Sequence, residues 1–259
     1  MVFQLRAYMR FLWESKNEHG VHSPFVFSLV TKCFYDRNKL AEYALLERFR
    51  NSLRRNQEFI EVTDFGAGSK VFKSNKRKVS KIAETAGISP KRAALLLRVV
   101  KYIEPADVLE VGTSLGLGTS ALSLGNPAAA ITTLEGCPET ARVAKQQFEV
   151  FGLKNINAVV TDFETYLNEI PRHGRTYQLI YFDGNHTKNA TLSYFESLLH
   201  TAANDSVWIF DDIHWSADME AAWEAIKKHP EVTVTIDTFQ WGFVFFRREQ
   251  QKEHFVIRV

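Results

Sequence analysis

The run Val108-Leu-Glu-Val-Gly-Thr-Ser-Leu-Gly-Leu-Gly-Thr119, with Glu135 closing the next apolar run, constrains this chain more than any other feature. An apolar strand carrying Glu110 gives way to a loop with Gly112, Gly116 and Gly118, and then to a helix rich in Ala and Leu. In an open parallel sheet, ligands sit outside the carboxyl ends of the strands, and the first strand-to-helix turn is the usual cradle. Glycine admits a ligand close to the backbone there because no Cβ stands in the way. The order G-x-x-x-G-x-G differs from the G-x-G-x-x-G that seats a pyrophosphate on a helix N-terminus. Glu135 ends the run Ala129-Ala-Ile-Thr-Thr-Leu134, where a carboxylate suits the two hydroxyls of a ribose. It suits equally the capping of the helix that opens at Pro138.

From about residue 90 onward, strand and helix patterns alternate. Ser89-Pro90 reads as an N-cap followed by proline at the first helical position, opening a helix to about Ile103. Strands are expected over 108–111, 129–134, 156–161, 178–182 and 207–210, with helices over 138–151, 188–202 and 216–228 between them. Runs at 232–236 and 242–246, joined by a short turn, read as a hairpin. The expected fold is therefore α/β: a Rossmann-like, doubly wound, mostly parallel sheet of seven strands with an antiparallel C-terminal hairpin. Residues 1–87 are expected to form an N-terminal helical cap segment and residues 88–259 the main domain.

The 259 residues suffice for a full core, and 45% apolar against 24% charged residues is the balance of a soluble globular protein. A net charge of +2 gives no strong global attraction to nucleic acid or to a membrane. Two distant cysteines, Cys33 and Cys137, fit a reducing cytoplasm better than a disulfide scaffold. No apolar stretch approaches the roughly 20 residues that span a bilayer, and Arg6, Arg10 and Glu14 interrupt any signal-peptide core. A cytoplasmic protein without a membrane partner is expected, and a homodimer is left open.

Three strand ends deliver carboxylates to one edge: Asp162, Asp183 in Tyr181-Phe-Asp-Gly-Asn-His186, and Asp211 with Asp212 in Ile209-Phe-Asp-Asp-Ile-His-Trp215. Carboxylates placed together repel unless a cation or hydrogen-bond donors compensate them. An oxygen-only set of Asp183, Asp211 and Asp212 suits a hard divalent cation such as Mg²⁺. The alternative is that Asp162 and Asp183 serve the cofactor directly while Asp211 caps the turn that follows.

On these residues, the stretch from about Ile88 to Arg248 resembles the class I S-adenosylmethionine-dependent methyltransferases, whose glycine order is the one found here. It is most similar to the catechol and caffeoyl-CoA O-methyltransferase-like branch. Leu109-Glu-Val-Gly-Thr-Ser-Leu-Gly resembles that branch's glycine loop, and Leu134-Glu-Gly-Cys-Pro its ribose-binding turn. The resemblance implies a cofactor site of Glu110, Gly112, Thr113, Gly116, Gly118, Thr119, Glu135, Asp162 and Asp183. It also implies metal ligands at Asp183, Asp211 and Asp212, with Trp215 matching a tryptophan of the pattern. Asp212 stands where the branch carries asparagine, and His186 stands where it carries a lysine base. An imidazole, with an ordinary pKa near 6.5, accepts a proton at physiological pH. His186, with Asp183 beside it, is therefore the expected catalytic base for a hydroxyl nucleophile. His214 competes for that role, and a structural role for His186 is the alternative. The implied activity is methyl transfer from S-adenosylmethionine to an oxygen of a small-molecule acceptor.

The first 85 residues depart from this pattern. Leu5, Tyr8 and Leu12 have helical spacing and predict an amphipathic helix packed through that face. His19-Gly-Val-His-Ser-Pro-Phe-Val-Phe27 reads either as a pocket wall or as a helix-capping turn with an apolar plug. Asp64-Phe-Gly-Ala-Gly-Ser69 imitates a second nucleotide loop, but no βαβ unit follows. Six basic residues within 70–81 predict a solvated loop. Residues 79–97, with Gly87, have the rhythm of a helix-turn-helix, so a nucleic-acid methyltransferase or binder is the rival reading. Against it, Leu95, Leu96 and Val99 look committed to the core, and the basic run lacks interleaved aromatics.

Overall fold

The computed structural model describes residues 2–63, 74–171 and 174–259. The imitation nucleotide loop at 64–69, and Lys70 and Lys73 of the basic run, lie outside the described residues. The chain divides into two compact units, Met1–Tyr35 with Tyr166–Val259, and Asp36–Thr165. The division expected at residue 87 falls inside the second of these.

The chain opens with helix α1 (Val2–Glu14), a 3-10 turn at Glu18–Gly20, and helix α2 (Pro24–Leu29), which runs on into a π-turn at Val30–Phe34. The turn before α2 is the capping arrangement: the Ser23 hydroxyl accepts from the Val26 amide, Pro24 follows, and Val26 is fully buried. Helix α1 forms as expected, but its buried residues are Ala7 and Phe11, whereas Leu5 is 64% exposed. Both stripes have helical spacing, and each sends a ring to the same distant residue. The rings of Phe11 and Tyr8 pack on Phe239, at 5.5 and 4.9 Å between centroids.

The Asp36–Thr165 unit begins with α3 (Glu42–Arg55), the short strands β1 (Phe59–Glu61) and β2 (Lys76–Lys78), and helices α4 (Val79–Thr85) and α5 (Pro90–Ile103). The described part of the basic run is thus not a loop. Strand β2 pairs antiparallel with β1, Phe59 opposite Lys78, a long-range pairing that three basic residues do not advertise. Helix α5 starts where anticipated, with the Ser89 hydroxyl accepting from the Arg92 amide. It buries Ala93, Leu95, Leu96, Leu97, Val99 and Val100. A recognition helix must leave its reading face to a groove, so this burial weighs against the helix-turn-helix reading. Gly87 serves packing instead, since a Cβ there would run into the Leu117 side chain.

There follow β3 (Asp107–Val111), α6 (Leu117–Gly125), β4 (Ala130–Glu135), α7 (Pro138–Val150), β5 (Ile156–Val160) and α8 (Phe163–Glu169). Strands β3, β4 and β5 pair in parallel, with Glu110 opposite Thr133 and Glu135 opposite Val160. Parallel neighbours need crossover helices, and α6 and α7 supply them.

In the other unit come β6 (Leu179–Phe182), α9 (Lys188–Leu198), β7 (Val207–Asp211), α10 (Ala217–Lys228), β8 (Val234–Asp237), β9 (Trp241–Phe245) and β10 (Glu253–Val256). β6 and β7 are parallel, while β9 runs antiparallel to both β7 and β8 and forms the hairpin. Trp208, Trp223 and Trp241 fill the core here, and a Cβ on Gly242 would meet the Trp223 ring at 2.6 Å. Among the described residues, eight strands carry these pairings beside the β1–β2 ribbon, one more than expected. The addition is β10, parallel to β8. The fold class is α/β, mostly parallel, with flanking helices and a C-terminal antiparallel hairpin. No helix of the described residues is long and apolar enough to cross a membrane.

Candidate active site

The glycine loop between β3 and α6 is shaped by backbone conformations that side chains resist. Gly112 sits at φ +108° and Gly116 at φ +81°, where it precedes the first turn of α6. A Cβ on Gly116 would also strike the Phe148 ring of α7. The amides of Gly112 and Thr113 both donate to the Leu134 carbonyl, at 3.1 and 3.0 Å, which ties the loop to the end of β4. Gly118 lies buried in the first turn of α6.

Glu135 closes the arrangement. Its Oε2 accepts from the Ser114 amide at 2.7 Å, and its Oε1 from the Cys137 amide at 2.9 Å and the Thr140 hydroxyl at 3.2 Å. The capping role and a ligand role are therefore compatible, because an ionised carboxylate has about four acceptor positions. Burial pushes this carboxyl up from its ordinary range, opposed by the bonds from Cys137, Ser114 and Thr140. Ser114 is absent from the residues the sequence singled out. It stands at φ +48° without being glycine, a conformation that leaves no mark in the sequence.

Beneath the loop lies a buried polar chain. Glu110, only 1% exposed, takes the hydroxyls of Thr119 and Thr133 on Oε2, and Thr133 lies 2.6 Å from the Thr113 hydroxyl. Burial drives the Glu110 carboxyl up to about 8, against the two hydroxyl bonds, so it is neutral at pH 7. Glu110 and Thr119 thus support the loop from below. Asp162 is exposed and its Oδ1 accepts from the Thr165 amide at 2.9 Å, at the start of α8.

The remaining candidates belong to the other unit. Asp183 follows β6, and the Tyr181 hydroxyl lies 3.2 Å from both Asp183 Oδ2 and Asp211 Oδ2. A hydroxyl has one proton to donate, so Tyr181 links two carboxylates while serving one at a time. Alternation along β6 puts residues 181 and 183 on one side, a signal by which the tyrosine could have been found. His186 is partly exposed, with Nε2 3.8 Å from Asp183 Oδ1. Asp211 is buried and its Oδ1 accepts from the Asp212 amide at 2.8 Å, with Asp212 at φ +54°. His214 is buried and its Nε2 lies 2.7 Å from Asp237 Oδ2.

Among the described residues, no three His, Cys, Asp or Glu side chains group as metal ligands. Asp183 and Asp211 share a tyrosine hydroxyl, and Asp211 is engaged by the Asp212 amide.

Residues 109–213 match the protein-family model described as a methyltransferase domain. Among solved structures, the S-adenosylhomocysteine-bound methyltransferase PaMTH1 of Podospora anserina is similar, at 12% identity and a TM-score of 0.60. The match covers 88% of this chain and 97% of that one. The O-methyltransferase of Bacillus cereus in complex with S-adenosylhomocysteine is 17% identical, at a TM-score of 0.55 over 83% of this chain and 93% of that one. TomG of Streptomyces achromogenes, an O-methyltransferase involved in tomaymycin synthesis and solved with S-adenosylmethionine, is 12% identical. Its TM-score is 0.57, over 86% of this chain and 95% of that one. At such identities the likeness is one of fold. No curated protein matches the sequence.

Proposed function

We infer that this chain, a methyltransferase of the S-adenosylmethionine-dependent, O-methyltransferase-like kind, moves the methyl group to an oxygen of a small-molecule acceptor. The observation that carries the cofactor half is the Glu135 clamp: one half-buried carboxylate holds the Ser114 amide of the glycine loop and the Cys137 amide of the next turn. In this reading Glu135 keeps an acceptor position for the ribose hydroxyls. The backbone of Gly112, Thr113, Gly116 and Gly118 would hold the adenosine and methionine moieties, Glu110 and Thr119 would support that backbone, and Asp162 and Asp183 would complete the cofactor contacts.

The reaction is an in-line displacement. The acceptor oxygen forms a bond to the methyl carbon as the carbon–sulfur bond breaks, and S-adenosylhomocysteine leaves neutral. The acceptor proton passes to His186, whose partial exposure and Asp183 neighbour suit it to receive one. Alignment of oxygen, carbon and sulfur contributes roughly 7–11 kcal/mol of the acceleration, the range that positioning can supply. The low net charge and the buried α5 favour a small molecule over nucleic acid, and the two buried cysteines accord with a cytoplasmic setting.

The test is transfer of labelled methyl from S-adenosylmethionine to a panel of hydroxylated aromatic probes. Turnover on at least one probe is expected, with His186→Ala reducing it about 10²–10⁴-fold. Transfer to RNA alone, tied to the Lys76–Lys78 strand, would overturn the small-molecule reading.

A further inference from the structure

The turn that carries Asp211 and Asp212 is held from a direction the reaction does not use. Asp212 is not glycine yet stands at φ +54°, and across from it Phe239, in the turn after β8, stands at φ +73°. Such conformations persist only where the surroundings over-determine them. His214 joins the two turns. Its Nε2 lies 2.7 Å from Asp237 Oδ2, and the other oxygen of Asp237 accepts from the Phe239 amide at 2.7 Å. The imidazole also stacks on the Phe239 ring, 5.3 Å between centroids at 20°. Ile213 adds a backbone bond to the Gln240 carbonyl at 3.4 Å.

The contact with Asp237 occupies Nε2 of His214. The nitrogen left for proton transfer, Nδ1, is buried and faces Glu220 Oε2 at 3.7 Å. That is the wrong environment for a group that must meet a substrate hydroxyl. Glu220 in turn is held by Arg10 of α1, and Tyr8 and Phe11 of α1 cover the Phe239 ring. The contacts of α1 thus converge on Glu220 and Phe239, two of the three groups that His214 touches.

We propose that His214 is a positioning residue and not the proton acceptor: through Asp237 and Phe239 it pins the Asp211–Asp212 turn and couples that turn to the docking of α1. The value of this pin to catalysis rests on the methyltransferase reading above, whereas the pin itself does not. The test is amide hydrogen exchange on the full chain without cofactor, where no proton is transferred and a base has no work to do. His214→Phe keeps a ring over Phe239 and removes the donor. Exchange should rise about tenfold or more in both 211–216 and 2–14, with α5 and α6 unchanged. His214→Gln, which returns a donor to Asp237, should bring both segments back to within about threefold of the parent. Asp237→Asn gives a milder check should His214→Phe fail to fold, with a smaller rise in the same two segments. Unchanged exchange, or a rise in the turn without one in α1, would overturn the proposal. Loss of S-adenosylhomocysteine binding by the parent chain would instead strike the methyltransferase reading and leave the pin standing.

Discussion

The Ser114 amide donates to Oε2 of Glu135 at 2.7 Å, with Ser114 itself held at φ +48°. One non-glycine residue in the left-handed region therefore joins the glycine loop to the acidic end of β4. Glycine adopts that conformation without strain, whereas proline is fixed near −65° and has no N–H. Ser114→Gly should keep S-adenosylhomocysteine affinity within about threefold of the parent. Ser114→Pro should lower it by a factor of about 100 or more, since it removes the bond and breaks the turn. Calorimetric titration of the two variants checks this, and equal affinities would mean that the clamp does not shape the cofactor site.

Glu110 predicts an unusual dependence of stability on pH. Its carboxyl is pushed up to about 8 in the folded chain, so the native state holds a proton that the unfolded chain releases at ordinary carboxylate pH. Wherever the native state binds more protons, stability falls as pH rises. Its contribution is complete below the unfolded value, declines from there toward pH 8, and is level above. At its steepest the decline is about 1.4 kcal/mol per pH unit. Glu110→Gln stays neutral, can still accept from Thr119 and Thr133, and should flatten the profile across that range. Denaturant unfolding of both proteins between pH 5 and 9 measures the difference, and parallel profiles would show that Glu110 is ionised in the fold.

The carboxylates of the other unit lead to a prediction about metal. With Asp183 and Asp211 sharing the Tyr181 hydroxyl, and no three-donor group among the described residues, turnover on a probe acceptor should survive exhaustive chelation. Tyr181→Phe should be the damaging change, about tenfold or more in turnover, because it removes the only proton the tyrosine offers to either carboxylate. Turnover lost in chelator and restored by Mg²⁺ would reinstate the cation at Asp183, Asp211 and Asp212.

Much of the fold was legible because local chemistry and tertiary packing agree. Ser89-Pro90 opens α5 and Gly152, at φ +67°, follows α7, both as the sequence implies. Gly112 and Gly116 of the glycine loop stand at positive φ. What stayed hidden was decided at long range. Helix α1 buries Ala7 and Phe11 in place of Leu5, and Phe11 packs there on Phe239, more than 200 positions away. Strand β2 consists of Lys76, Arg77 and Lys78, poor strand formers that pair because β1 lies opposite. Strand β10, with Glu253 and His254 exposed, carries no apolar alternation strong enough to announce it. In the site, the candidate carboxylates were visible as residue types, but the Tyr181 bridge and the Asp237 partner of His214 are facts of geometry.

The central claim is that the glycine loop and Glu135 hold S-adenosylmethionine, and the most direct measurement is calorimetric titration of the parent chain and Glu135→Ala with S-adenosylhomocysteine. The account predicts saturable binding of one ligand per chain to the parent. In Glu135→Ala it predicts a loss of about 1.5–3 kcal/mol, the range for hydrogen bonds to a charged group, which is roughly 10- to 150-fold in affinity. Affinity unchanged in Glu135→Ala would reduce Glu135 to the helix cap it also is, and no binding by the parent chain would contradict the account.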